Sequence, residues 1–159
     1  MKTIRLTLLA ISRFFVSAVF LVGAVKNILF WHETDKSIMD SLSEWQSHFG
    51  FSQDLQVFFS LLISWSSLLL LTATLFLLIG GLSLLLGLKE KLGLSLLILF
   101  LIPVTILYHP FWWADSVSHE LQTAMFLKNL AILGCLLQIL FRDASSQSQE
   151  SERLGAMNF

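Results

Sequence analysis

The sequence predicts an all-α integral membrane protein, a four-helix bundle with both termini cytoplasmic, and three observations carry that prediction. Of its 159 residues 55% are hydrophobic and 13% charged, whereas soluble domains are roughly one-quarter charged. The mean hydropathy is +0.76. The apolar residues gather into runs long enough to cross a bilayer, which takes about 20 residues as a helix. Finally, the Lys and Arg residues outside those runs fall on alternate sides, as an even number of crossings requires.

The spans are read at about 11–31, 57–88, 92–109 and 120–141. The first, "ISRFFVSAVFLVGAVKNILFW", follows Lys2 and Arg5 and so invites comparison with a secretory signal. Arg13 interrupts the would-be apolar core of such a signal, and no small-x-small cleavage site follows, so retention as a span is expected. The second run is free of charge from 55 to 88 and longer than one crossing needs, which predicts a tilted or overlong helix with its first turns at the interface. Pro103 falls in the third run. Between the first two spans, residues 32–54 are expected as an outer polar loop. Residues 143–159, rich in Ser and Gln, have the composition of a flexible cytoplasmic tail.

Orientation follows from the basic residues of the short connections. Lys2, Arg5 and Arg13, then Lys89 and Lys91, then Arg142 and Arg153 mark one side. The other side holds Lys36 among Glu33, Asp35, Asp40 and Glu44. Trp31 and "FWW" (111–113) fall on this outer side and read as an aromatic belt at the headgroups, with ligand stacking by Trp112 as the competing role.

Several function classes are excluded. A formal net charge of −1 leaves no surplus of cations to neutralise phosphates, so nucleic acid is not a partner. Cys135 is the single cysteine, which removes an internal disulfide, a CxxC pair and a thiolate metal cage. No HExxH or paired-histidine spacing occurs, so no metal site is assigned. "GGLSLLLG" (80–87) lacks the order of a phosphate loop and reads as helix packing, with Ser83 and Gly87 as a small-xxx-small pair.

The candidate chemistry lies in polar residues inside the spans. Lys26 sits about 7 to 8 Å below Trp31 by helix rise, and Lys128 about 10 Å in from Leu121. Asn27 and Asn129 each follow a lysine, His109 and Tyr108 end the third run at the same face, and Glu120 precedes the fourth. Ala124, Ala131 and Cys135 share a helical stripe with Lys128, which predicts close helix approach and an inward lysine. The competing reading has both lysines snorkel to the outer headgroups. The candidate ligand-binding set is therefore Lys26, Asn27, His109, Trp112, Glu120, Lys128 and Asn129. An inward amine needs an anion, a carbonyl or a carboxylate beside it.

Taken together, Arg13, "FLVGAVKN", "GGLSLLLGLKEKLG", "IPVTILYHPFW" and "FLKNLAILG" resemble the DoxX family of small four-span membrane proteins, over most of residues 10–142, with 32–54 outside the pattern. The resemblance implies a four-helix bundle in the bacterial inner membrane. It implies a membrane subunit of a redox, oxidative-stress or sulfur-metabolism system, such as a thiosulfate:quinone oxidoreductase, without a redox cofactor of its own. Quinone would be the cofactor to consider. Partners would be the lipid bilayer, soluble redox or sulfur-transfer proteins, or a second copy of the chain. Lys26, His109, Lys128 and Asn129 would form the shared polar layer. The chain departs from the family in lacking an acidic residue within 55–88. The alternative function is non-enzymatic: a lipid or small-solute binding protein, a transporter or a scaffold.

Overall fold

A computed structural model describes the backbone of residues 2–156, with side chains placed for most of 4–141. Six α-helices follow one another: α1 (Lys2–Leu29), α2 (Trp31–His48), α3 (Gln53–Ser64), α4 (Ser66–Leu86), α5 (Glu90–Tyr108) and α6 (His119–Ala156), with a 3₁₀ turn at Phe111–Trp113 before the last. Among the described residues, four stretches are long and apolar enough to span a membrane: Ala10–Leu29, Ser66–Leu86, Glu90–Trp113 and His119–Phe141. Among the described residues there is no strand.

The spans pack in the order α1 on α4, α4 on α5, α5 on α6. Their common core is made of Phe20 and Ala24 from α1, Leu77 and Leu84 from α4, Leu94, Leu97 and Leu101 from α5, and Leu136 from α6. In lipid there is no hydrophobic gain from burying leucine against leucine, so helix association rests on close packing. The α4–α5 contact shows how close. A Cβ built on Gly80 would lie 2.6 Å from Leu97 Cγ and 3.0 Å from the Gly93 carbonyl oxygen, and one on Gly93 would lie 2.6 Å from Ser83 Cβ. On the other side of α4, a Cβ on Gly81 would meet the Leu21 side chain at 2.8 Å. The adjacent glycines thus seat α5 and α1 respectively.

Gly87 has a different task. At φ +69° it is the left-handed residue that closes α4, its own N–H and that of Leu88 both returning to the Ser83 carbonyl. The expected Ser83–Gly87 packing pair is therefore corrected: Ser83 packs on Gly93, while Gly87 turns the chain. Over this turn Arg13 of α1 pairs with Glu90 at the start of α5, N to O 2.7 Å. Arg13, read from the sequence as one of the basic residues marking one side, also joins the first span to the third.

Three further expectations change. The segment 32–54, expected as an outer loop, is mostly helix: α2 follows α1 after a single irregular residue, Phe30 (φ −117°, ψ 46°). The run at 57–88 is two helices, broken at Trp65, whose backbone leaves helical geometry at φ −108°, ψ 17°. The segment 143–156, expected as a flexible tail, continues α6 as helix, and 157–159 lie outside the described residues. Helices α2 and α3 form an antiparallel pair that caps the end of the bundle opposite the termini. They have a core of their own in Ile38, Leu42, Phe59 and Leu70, with Trp31, Trp45 and Phe49 packed on it.

Gly93→Val should lower the detergent melting temperature sharply, because backbone and Ser83 Cβ block the new methyls and overpacking of this kind costs about 1–3 kcal/mol. Gly134→Ala, with nothing within 4 Å of the point its Cβ would occupy, should leave the melt unchanged or raise it.

Candidate functional site

Polar side chains concentrate at the capped end, where the C-terminus of α5, the 3₁₀ turn and the first turns of α4 and α6 meet the α2–α3 pair. A helix ending there leaves its last carbonyls without intrahelical donors. The His109 N–H closes on Thr105 at 3.1 Å. The Leu107 carbonyl receives the indole N–H of Trp45, from α2, at 3.1 Å. Trp45 is the hub of an aromatic cluster: Trp113 meets it edge-on at 4.6 Å between ring centres, Phe49 stacks at 5.9 Å, and Trp112 stands edge-on at 6.0 Å. His48, the last residue of α2, lies flat on Trp113 at 4.2 Å. Phe111 carries the cluster to Phe126 of α6.

The start of α2 builds a second arrangement. Ser67 of α4 donates to Asp35 Oδ2 at 2.7 Å. Tyr108 shares a hydrogen bond with Ser37, and Asp35 lies within electrostatic reach of its phenol. Between helices α2 and α3, Gln46 donates to the Gln56 carbonyl at 3.0 Å and Gln56 to the Gln46 carbonyl at 2.7 Å, a reciprocal clasp. Two buried polar atoms at this end have no partner among the described residues: Asp35 Oδ1 and Trp113 Nε1. Unpartnered buried groups are uncommon and mark a place where a further hydrogen-bonding group can be accommodated.

The seven candidates from the sequence do not converge on one pocket. Asn27 turns inward and donates to Thr74 Oγ1 at 3.2 Å, while Thr74 donates in turn to the Leu70 carbonyl. Asn129 is also inward, 8% exposed. Lys26 and Lys128 are exposed, and so is Glu120. Lys128 lies back along its own helix, Nζ 3.3 Å from Met125 Sδ. The expectation of an inward Lys128 on a small-residue helix contact is therefore corrected: Ala124, Ala131 and Cys135 are exposed too. Successive helix residues differ by about 100° in direction, so in each Lys-Asn pair only one side chain faces the core. It is the amide. His109 Nδ1 donates to Gln122 Oε1 at 2.9 Å, tying α5 to α6. Trp112, 45% exposed, belongs to the aromatic cluster.

The residues that sequence reasoning passed over are Asp35, Trp45, His48, Ser67 and Trp113. Their signal was present: Trp31, Ile38, Leu42, Trp45 and Phe49 recur at helical spacing within a charged segment, the pattern of an amphipathic helix laid on a core. Among the described residues, no group of three or more His, Cys, Asp or Glu side chains could hold a metal ion.

Compared with known families, the chain matches DoxX over residues 8–110. It belongs to the DoxX family. The match takes in α1 through the end of α5, including the α2–α3 pair, and stops before α6, so Lys128 and Asn129 lie beyond it. Family and spans together make this DoxX protein an integral membrane protein in contact with lipid. Neither a curated protein nor a solved structure matched the chain.

Two measurements check the geometry of the capped end. Trp45→Phe keeps the ring contact but strands the Leu107 carbonyl, and the melt should report a loss of about 1–3 kcal/mol. In the connection after the 3₁₀ turn, Asp115 accepts hydrogen bonds from the Ser118 hydroxyl and backbone N–H, which hold its carboxyl below the ordinary 3.8. A depressed folded-state value contributes stability above the ordinary value that is lost as pH falls through the lowered one. Ser118→Ala should raise the Asp115 titration midpoint toward 3.8, as read by NMR in micelles.

Proposed function

We propose that this DoxX protein is a membrane subunit that serves an assembly and is not catalytic by itself. One observation carries the reading: apart from Arg13 and Glu90, which pair to join two helices, the charged residues Lys26, Glu120 and Lys128 of the spans face away from the core, and the core itself is filled by fully or almost fully buried apolar side chains. Charge held on the outside of a bundle is available to a neighbouring protein or to headgroups. A solute path through the middle gains no support from so closely packed an α4–α5 contact. The setting is the one its resemblance implies, a redox, oxidative-stress or sulfur-metabolism system of a bacterial inner membrane, with both termini cytoplasmic and soluble redox or sulfur-transfer proteins as partners.

A second reading places a ligand at the capped end. The unpartnered Trp113 Nε1 supports it, since an indole N–H donates to the carbonyl oxygen of a quinone headgroup. A small anion is less well served there, with Asp35 beside Tyr108. On this reading the outward lysines take no part in binding.

Lys128→Leu separates these possibilities. Removal of an exposed charge should change stability by no more than about 0.5 kcal/mol. On the subunit reading the assembly extracted in mild detergent becomes smaller on native gels, while the variant alone melts as the wild type does. An assembly of unchanged size would count against Lys128 as a docking residue, and unfolding of the variant would make it a structural one. Quinone-dependent turnover by the purified chain alone, lost in Trp113→Phe and kept in Lys128→Leu, would replace the first reading by the second.

A further inference from the structure

Helix α3 has twelve residues, too short to cross a bilayer, and its two faces differ. Phe59, 9% exposed, packs inward with Leu55, Leu62 and Ile63 onto α2 and the start of α4. Gln56 and Ser60 meet Gln46 of α2. Beyond Asp54 in the first turn, the opposite face is apolar and open: Val57, Leu61 and Trp65 are 63%, 56% and 57% exposed, with Phe58 beside them. Its partner α2 shows the reverse, turning Glu33, Lys36, Asp40 and Glu44 outward. The pair is therefore two-sided, polar along α2 and apolar along α3.

What covers the apolar side follows from its continuity with the spans. Trp65 is the hinge between α3 and α4, and α4 begins its crossing at Ser66. The exposed face of α3 passes through Trp65 directly into Leu68, Leu69 and Leu71, which belong to the lipid-facing side of that span. A helix leaving the bundle at the level where a span begins, with an indole at the junction, lies at the headgroup boundary. A short helix whose outer face is apolar, and whose inner face of Phe59, Gln56 and Ser60 is held by protein, suits that boundary better than water or the hydrocarbon centre.

We propose that α3 is an interfacial anchor, a non-spanning helix whose Val57, Phe58, Leu61 and Trp65 face is immersed in the lipid of one leaflet. It holds α2 as a roof whose charged side meets water. The partner is the lipid surface itself, and the inference is independent of the subunit reading above.

Nitroxide labels test it on the full chain in phosphatidylcholine–phosphatidylglycerol vesicles. Cys135→Ser provides the background, with Val57→Cys and Leu61→Cys as test positions, Leu71→Cys as the span reference and Glu44→Cys as the water reference. All are exposed sites, and Phe58→Cys replaces either test position that fails to fold. Power saturation with oxygen and a neutral nickel chelate should shift both test labels toward oxygen, on the side of position 71 and away from position 44. Two results would overturn the proposal: chelate access matching position 44, which puts α3 in water, or shielding from both reagents, which means that a second copy or another protein covers the face.

Discussion

The close approach of α4 and α5 is the constraint on which the rest of the bundle depends. Gly80 lies against Leu97 and the Gly93 carbonyl, and Gly93 against Ser83 and the Gly80 carbonyl, so the two helices fix one another's height and rotation. Gly81, turned by one residue, then presents its own gap to Leu21 and sets α1 against the other side of the same helix. The consequences run to both ends. With α1 seated there, Arg13 reaches Glu90 across the α4–α5 turn, and Asn27 comes level with Thr74. The ion pair is partly exposed, and pairs of that kind contribute at most about 1 kcal/mol. It records the register and does little to create it.

The distribution of polar groups follows from what each side chain can reach. An asparagine is short, and inside a bundle its amide needs a fixed partner nearby. Asn27 has one in Thr74, itself bonded back to the Leu70 carbonyl. A lysine has four methylenes and can lie along apolar surface while its ammonium seeks a polar layer. Placed side by side on a helix, the two residues cannot both face inward. A buried amine is best served by a carboxylate, and no acidic residue occurs between 55 and 88 to supply one. The lack of a carboxylate in 55–88 and the outward turn of the lysines are consistent with one another.

The number of spans was legible because it depends on composition and period alone. The glycine contacts were legible as packing, though not in detail: which of Gly80, Gly81, Ser83, Gly87 and Gly93 meets which helix depends on rotation about α4, and sequence spacing does not fix that. Outward lysines were legible as the competing reading, and the inward one was favoured for Lys128 for a related reason. Ala124, Ala131 and Cys135 were read as a contact stripe, yet the face of α6 that packs is the one carrying Gln122, Asn129 and Leu136. Small residues permit approach without compelling it. The cap was missed because charge drew attention away from period. In 32–54 the acidic residues suggested a loop, whereas the five apolar positions from Trp31 to Phe49 already formed one helical face.

That cap does more than cover the bundle. A helix that ends within or near the bilayer must satisfy its last carbonyls, since each one left bare in apolar surroundings is costly. Helix α5 cannot do so alone: Pro110 has no N–H to return to Ile106, and the Phe111 N–H that would reach Leu107 turns to the His109 carbonyl instead. Thr105 is served by the His109 N–H, and Leu107 by an indole from another helix altogether, with Trp45 held by Phe49, Phe59 and Trp113. Span and hairpin therefore complete each other: α2 gains a surface on which to bury Ile38 and Leu42, and α5 gains the donor that its own continuation withholds. The unpartnered Trp113 Nε1 and Asp35 Oδ1 lie along this same junction. The cap thus joins the bundle through aromatic packing and only a few directed bonds, leaving hydrogen-bonding capacity in the one region where lipid, water and protein meet.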